Sequence, residues 1–260
     1  LPALAEQEFA LAAKTAVLSF IVVFGVTKAF SNYLAGRFSD RFGRKHVLVA
    51  GWLIATPVPF MLMWAPSWNW ILVANALLGI SQGLTWSTTV IMKIDLVGPK
   101  SRGLAIGLNE FAGYLAVGVT AFLTGYLASR YGLRPAPIYL GIGYAVLGTA
   151  LSIALVRDTR DHVRLEASLH PRQAAPIGFR EVLALTSFRD RGLFAASQAD
   201  LVNNLNDGMS WGIFPLFFAS FGLGVERIGI LKAIYPATWG ILQIATGRSE
   251  ARRVGKECLR

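Results

Sequence analysis

The sequence predicts an all-α, polytopic membrane protein, and three observations carry that class. Hydrophobic residues make up 54% of the chain and charged residues 15%, with a mean hydropathy of +0.49, too apolar for a soluble domain of ordinary make-up. Stretches of about 20 mostly apolar residues, the length that crosses a bilayer as a helix, recur between short charged or Gly/Pro-rich breaks. Segments such as "YLGIGYAVLGTALSIALV", starting at Tyr139, are apolar on every side, whereas a membrane barrel alternates apolar and polar residues over short strands.

Seven spans follow in order. The first, 15–36, ends at Gly36, where a charged run with Arg37, Asp40, Arg41, Arg44 and Lys45 begins. The second, 46–65, reaches the short loop "APSWN", and the third, 69–94, stops before Asp95 and "GPKSRG". The fourth covers 103–129. The fifth, 137–156, holds Gly141 and Gly143, a spacing that inside an apolar helix means close helix packing. An arginine-rich segment, 157–191, separates it from the sixth, 192–221, and the seventh, 227–247.

A net charge of +10 raises the question of nucleic acid, and its distribution excludes that partner. Arg37, Arg41, Arg44 and Lys45, then Lys100 and Arg102, then Arg157, Arg160, Arg164, Arg172, Arg180, Arg189 and Arg191, and finally Arg248, Arg252, Arg253, Lys256 and Arg260 fall on one side if helices alternate direction. The other side holds Arg130, Arg134 and Arg227, with Lys14 at a helix edge. This is the positive-inside asymmetry, which puts the charged loops in the cytoplasm of a multi-pass protein of the cell membrane.

Catalytic and metal patterns are missing from the sequence. Cys258 is the single cysteine, and His46, His162 and His170 stand apart in charged loops; neither HExxH nor GxxxxGK[ST] occurs. No enzyme activity and no cofactor are expected. The opening "LPALAEQEFALAAK" has an acidic cluster and no basic leader, so the chain reads as one that opens mid-protein.

The charged run is also a motif. Gly36-x-x-x-Asp40-Arg41-x-Gly43-Arg44-Lys45, joining two membrane helices, resembles the loop between the second and third helices of the major facilitator superfamily. The resemblance implies a loop that helps to hold the outward-facing state. Its physics suits a latch: Gly36 permits close approach of another helix, Asp40 faces a neighbouring helix N-terminus, and the arginines grip carboxylates. Asp95 is expected to meet Arg44, and Arg102 to sit near Asp40.

The resemblance further implies the family's twelve helices in two six-helix halves, of which this chain covers helices two to eight as a fragment. The expected organisation is a bundle over 1–156 lacking its first helix, a cytoplasmic loop over 157–191, and the first two helices of a second bundle over 192–247. The loop's "GFREVLALTSFRDRG" is amphipathic, with Leu183, Leu185 and Phe188 suited to a lipid interface or to an ordinary linker helix. The family carries a weaker copy of the latch after helix eight, and here it decays: Gly247 stands where Gly36 would fall, Ala251 replaces the aspartate, and Gly255 comes one residue late. Residues 248–260 are therefore expected to be a degenerate or non-native tail.

Polar residues inside spans are costly unless they face a cavity or a partner. The third span carries Asn75, Gly79, Gln82, Trp86, Thr89 and Lys93 at helical spacing, and the fourth places Asn109 and Glu110 two turns inside the edge with Gly113 and Tyr114 beyond. Lys28 lies some 12 Å of helical rise from Gly36. The sixth span aligns Asp200, Asn203, Asn204, Asp207 and Trp211, and the seventh Tyr235, Pro236, Trp239 and Gln243. Together they are candidates to line a central cavity, with Glu110 and Asp207 the carboxylates able to load and release a proton. Lys28 and Glu110 pairing with each other, and Trp86 and Trp211 as packing residues, are the plainer alternatives.

The resemblance implies a secondary active carrier of a small organic solute, working by alternating access in the lipid bilayer, with efflux coupled to protons and a monomeric intact protein. Two departures count against antiport: Asn75 precedes Gly79 where drug/proton antiporters place an arginine, and "NEFAGYLAVGVTAFLTGYLA" lacks their Gly-Pro motif. A proton-coupled uptake symporter, or a non-transporting sensor of the same fold, is the alternative.

Overall fold

Every regular element is helical in the computed structural model, which describes residues 1–11, 13–97, 101–169 and 178–257. Lys100, His170, Arg172, Cys258 and Arg260 of the charge and motif inventory lie outside the described residues. A short α1 (Pro2–Gln7) precedes α2 (Lys14–Phe42), which runs six residues past the expected span and takes Asp40 and Arg41 into its last turns. Gly43, at φ 101, stops it, a backbone conformation open to glycine alone. The second span divides at Thr56 into α3 (Arg44–Ala55) and α4 (Pro57–Met63), because Pro57 has no N–H to continue the ladder.

The long α5 (Trp68–Leu96) and α6 (Arg102–Tyr131) follow, then α7 (Ile138–Ala154) and, in the connecting segment, α8 (Arg160–Leu169) and α9 (Phe179–Ala184) with a π-turn over Leu185–Arg189. Leu183 is half exposed there and Phe188 fully so. The expected sixth span is not one α-helix. It comprises α10 (Arg191–Gly208), a π-turn over Met209–Ile213, and α11 (Phe214–Ser220). Pro215 cannot donate to the carbonyl four residues back, and the widened turn just before it absorbs the defect. Asp190 caps α10, its side chain accepting from the Leu193 N–H at 2.7 Å. Helix α12 (Val225–Glu257) continues ten residues beyond the expected span, through a stretch rich in helix-forming Ala, Arg, Glu and Lys.

Four segments are long and apolar enough to cross a membrane by length and composition: α2, the Arg44–Met63 pair, α6 and Val225–Ser249. Helix α7 is apolar but has 17 residues, and the other two expected spans are held back by the polar stripe of α5 and the break in α10–α11. Exposed Val22, Val26 and Phe30 on α2, and Val146, Leu147 and Leu151 on α7, give the outward faces the apolar character that a bilayer solvates.

Glycines set the helix contacts. Helix α5 lies against α2 so closely that a Cβ at Gly83 would stand 2.6 Å from Ser31 Cβ, and one at Gly79 2.5 Å from the Phe24 carbonyl. Along α6 and α12 the backbones touch repeatedly: a Cβ at Gly125 would meet Gly229 Cα at 2.9 Å, one at Gly107 would overlap the Gln243 carbonyl, and one at Gly118 would lie 3.5 Å from Ala237 Cβ. Small residues permit such approach where water supplies no driving force. This seam joins the first group of helices (α2–α7) to the second (α10–α12).

Candidate functional site

Two sites grow from these contacts, the expected latch at the α2–α3 corner and a cavity between the two helix groups. At the latch, Arg44 is buried, and its neighbours satisfy it from both flanks. Its Nε donates to Asp95 Oδ2 at 3.1 Å, and its Nη1 lies 2.9 Å from Asp40 Oδ1 and donates to the Ser39 carbonyl at 3.0 Å. Asp40 is otherwise largely exposed. Arg102 does not join it: among the described residues the ion-pair partner of Asp40 is Arg44, one turn on along the chain, whereas Arg102 is exposed at the start of α6. Nor does a helix press on Gly36, where a Cβ would meet nothing within 4 Å.

What completes this corner comes from the segment between α7 and α8. The Thr159 hydroxyl donates to Asp95 Oδ2 at 2.6 Å, so one carboxylate oxygen receives both Thr159 and Arg44. Asp158 Oδ2 accepts the Lys45 N–H at 3.3 Å. It thereby caps α3 from 113 residues away, since the N-cap residue Gly43 has no side chain to do so. Lys45 Nζ donates to the Ile153 carbonyl at 2.8 Å, and Arg160 Nη1 to the Arg41 carbonyl at 3.3 Å. Partial burial pushes the Asp158 carboxyl up. The Arg160 and Lys45 N–H groups, the Arg160 guanidinium and the Arg44 N–H outweigh it and hold the group below the usual carboxylate range. The sequence reading missed Asp158 and Thr159. The available signal was "RDTR" directly after the fifth span, an Asp-Thr pair of the kind that opens a helix.

The cavity measures about 470 Å³ and is walled by α2, α5 and α6 on one side and by α10, the π-turn and α12 on the other. Of the expected residues, Lys28, Gln82, Trp86, Glu110, Tyr114, Asn203, Asn204, Asp207, Trp211, Tyr235 and Gln243 line it. Three do not. Asn75 is buried but bonds the Ile71 carbonyl of its own helix at 2.8 Å, and Lys93 and Asn109 stand behind the wall. Lys93 Nζ donates to Asn109 Oδ1 at 2.6 Å, and Asn109 Nδ2 donates to Glu110 Oε1 at 3.3 Å.

Asp207, buried beside the π-turn, is the most fully bonded group. The Tyr114 hydroxyl donates to its Oδ2 at 2.9 Å, and that of Tyr235 to its Oδ1 at 3.1 Å. Tyr114 belongs to the first helix group, and Asp207 and Tyr235 to the second, so this carboxylate bridges the two. Asn203 neighbours the Tyr114 hydroxyl, and Asn206 that of Tyr235. The rings of Trp86, Tyr235 and Trp239 surround Tyr114 at centroid distances of 6.4, 6.5 and 5.9 Å, and Trp211 packs edge-on to Phe24 at 5.6 Å. Lys28 forms no ion pair with Glu110; its ammonium sits 5.8 Å from the Phe24 ring centroid. Lys232, absent from the expected set, also lines the cavity. Its signal was a lone lysine inside the apolar run of the seventh span, between Leu231 and Ala233. Among the described residues no group of three or more His, Cys, Asp and Glu side chains converges on a metal position.

A profile of the Major Facilitator Superfamily matches residues 1–260. The chain is 29% identical over 211 residues to a protein of Cupriavidus pinatubonensis named "Probable 4-methylmuconolactone transporter", covering 78% of this chain and 48% of that protein. It is 26% identical over 144 residues to "Multidrug resistance protein 1" of Bacillus subtilis, covering 55% and 36%. Over 156 residues it is 28% identical to "Multidrug resistance protein MdtG" of Serratia proteamaculans, covering 58% and 37%. The chain thus spans half or less of the length of these relatives. No solved structure matches it significantly.

Proposed function

This chain belongs to the Major Facilitator Superfamily, and from that premise we propose a secondary active carrier that moves a small organic solute out of the cell by alternating access, coupled to protons. The observation that carries the reading is Asp207, a buried carboxylate in the cavity whose two oxygens are held by tyrosines from opposite helix groups. Protonation removes an acceptor charge and weakens both bonds, roughly halving charge-assisted contacts to ordinary ones. Loading a proton on Asp207 therefore loosens one tie between the halves, and release restores it. Glu110, facing the same cavity, is the second proton site. The latch, on the cytoplasmic side, stiffens the end of the first half while the two halves rock about the α6–α12 seam.

A second reading, proton-coupled uptake, draws on the two departures from the drug/proton antiporter pattern, Asn75 before Gly79 and a fourth span without a Gly-Pro pair. Both readings are tested in proteoliposomes of the intact carrier under an imposed pH gradient. Glu110→Gln and Asp207→Asn are expected to abolish gradient-driven solute movement while leaving solute binding in place. The vesicle face from which solute moves up its gradient separates efflux from uptake, and unchanged gradient-driven transport in both variants refutes proton coupling through these residues.

A further inference from the structure

Hydrogen-bonding groups left over in the cavity describe what it holds. Trp239 Nε1 is buried and donates to no protein acceptor. Lys232, one and two turns before Tyr235 and Trp239 on the same face of α12, projects into the same space, and no carboxylate among the described residues lies within ion-pair distance of it. Three carboxylates share the cavity with Lys28 and Lys232, and none leaves a buried charge unanswered: Asp207 has a tyrosine hydroxyl on each oxygen, Glu110 accepts from Asn109 Nδ2, and Asp200 is exposed. One acceptor is also orphaned, Gln82 Oε1. A buried donor or ammonium without a partner is costly, so the cavity favours a guest that brings acceptor atoms and negative charge, together with one hydroxyl. The flat faces of Trp86, Tyr114, Tyr235 and Trp239 favour a ring.

Resting on the carrier reading above, we infer that the solute is a ring-bearing organic carboxylate carrying a hydroxyl group, its carboxylate taken by Lys232 and the Trp239 indole N–H and its hydroxyl donating to Gln82. A lipophilic cation of the same size can turn to Asp200 and Glu110, but it leaves Lys232 and the indole N–H without a partner.

The test is equilibrium binding of radiolabelled 4-hydroxybenzoate to the intact carrier in nanodiscs, with benzoate, 4-hydroxybenzamide and tetraphenylphosphonium as competitors. Binding is expected, with benzoate weaker for want of the hydroxyl, the amide weaker for want of the charge, and no competition by the cation. Lys232→Gln is expected to weaken binding by roughly tenfold or more, as loss of a charge-assisted contact does. Lys232→Arg restores it, and Trp239→Phe weakens it while keeping the ring. Displacement by tetraphenylphosphonium, no binding of 4-hydroxybenzoate, or an unchanged affinity in Lys232→Gln overturns the inference. The carrier reading fails separately: if the carboxylate binds as described but is not moved across vesicles, the site stands and the transport assignment falls. Transport of another solute without carboxylate binding removes this inference alone.

Discussion

Tyr114 and Tyr235 show how much a single atom decides at this site. Each supplies one donor to Asp207, and Tyr→Phe at either position leaves a buried carboxylate oxygen without its partner, a loss of about 1–3 kcal/mol. Thermal unfolding in detergent should register that loss for each variant. Gly43 is constrained twice, by its φ of 101 and by the Asp158 carboxylate, which occupies the place of any Cβ; Gly43→Ala is expected to cost about 1–3 kcal/mol and to expel Asp158 from the α3 N-terminus. The motif made Gly43 and Arg44 legible in the sequence, since their spacing within a short loop is local. Asn75 was misplaced in the cavity for a physical reason: a short amide inside a helix can turn back to a carbonyl of its own helix, and spacing alone does not distinguish that from a residue facing a guest.

Elements were legible where the chain punctuates them. Gly43 and Gly132 end α2 and α6, Pro57 divides the second span, and apolar length gives the remainder. The π-turn before Pro215 was not, because a proline in a helix admits several local repairs, and which one is used depends on packing. Long-range ties such as Asp158 to α3 were equally hidden, since nothing local records a partner 113 residues distant. Asp158→Ala removes that cap and should cost about 1 kcal/mol, seen as faster hydrogen exchange at the first amides of α3. Because the Asp158 carboxyl lies lower in the folded protein than in the unfolded chain, its contribution is complete above its ordinary value, about pH 4. It disappears as the pH falls through the lowered folded value. Protection of the α3 amides, relative to their intrinsic exchange, should therefore be insensitive to Asp158 protonation between pH 5 and pH 8, taken as approximate bounds, and fall only in strong acid.

At the scale of the whole molecule, the two helix groups meet along α6 and α12, and the positions that touch are specified closely enough to cross-link. A Cβ at Gly118 stands 3.5 Å from that of Ala237, within the spacing that a disulfide requires. Gly118→Cys with Ala237→Cys, after Cys258 is replaced by serine, is expected to form a bond on mild oxidation. Proteolysis in the connecting segment then yields two fragments that separate on a gel only after reduction; fragments that separate without reduction would show that the groups do not meet there. Gly125→Val, where α6 rests on the Gly229 backbone of α12, should by contrast prevent the groups from docking, since overpacking costs about 1–3 kcal/mol even before backbone is displaced.

The glycines along that seam carry a mechanical consequence. Helices meshed through large side chains behave like gear teeth, and one cannot roll across the other until the teeth disengage. Backbone resting on backbone has no teeth, so α6 and α12 form a plain bearing, in which the crossing angle changes by sliding and every intermediate angle keeps its contact. Such a bearing has no clearance for grit: a single methyl group at Gly107, Gly125 or Gly229 is enough to jam it.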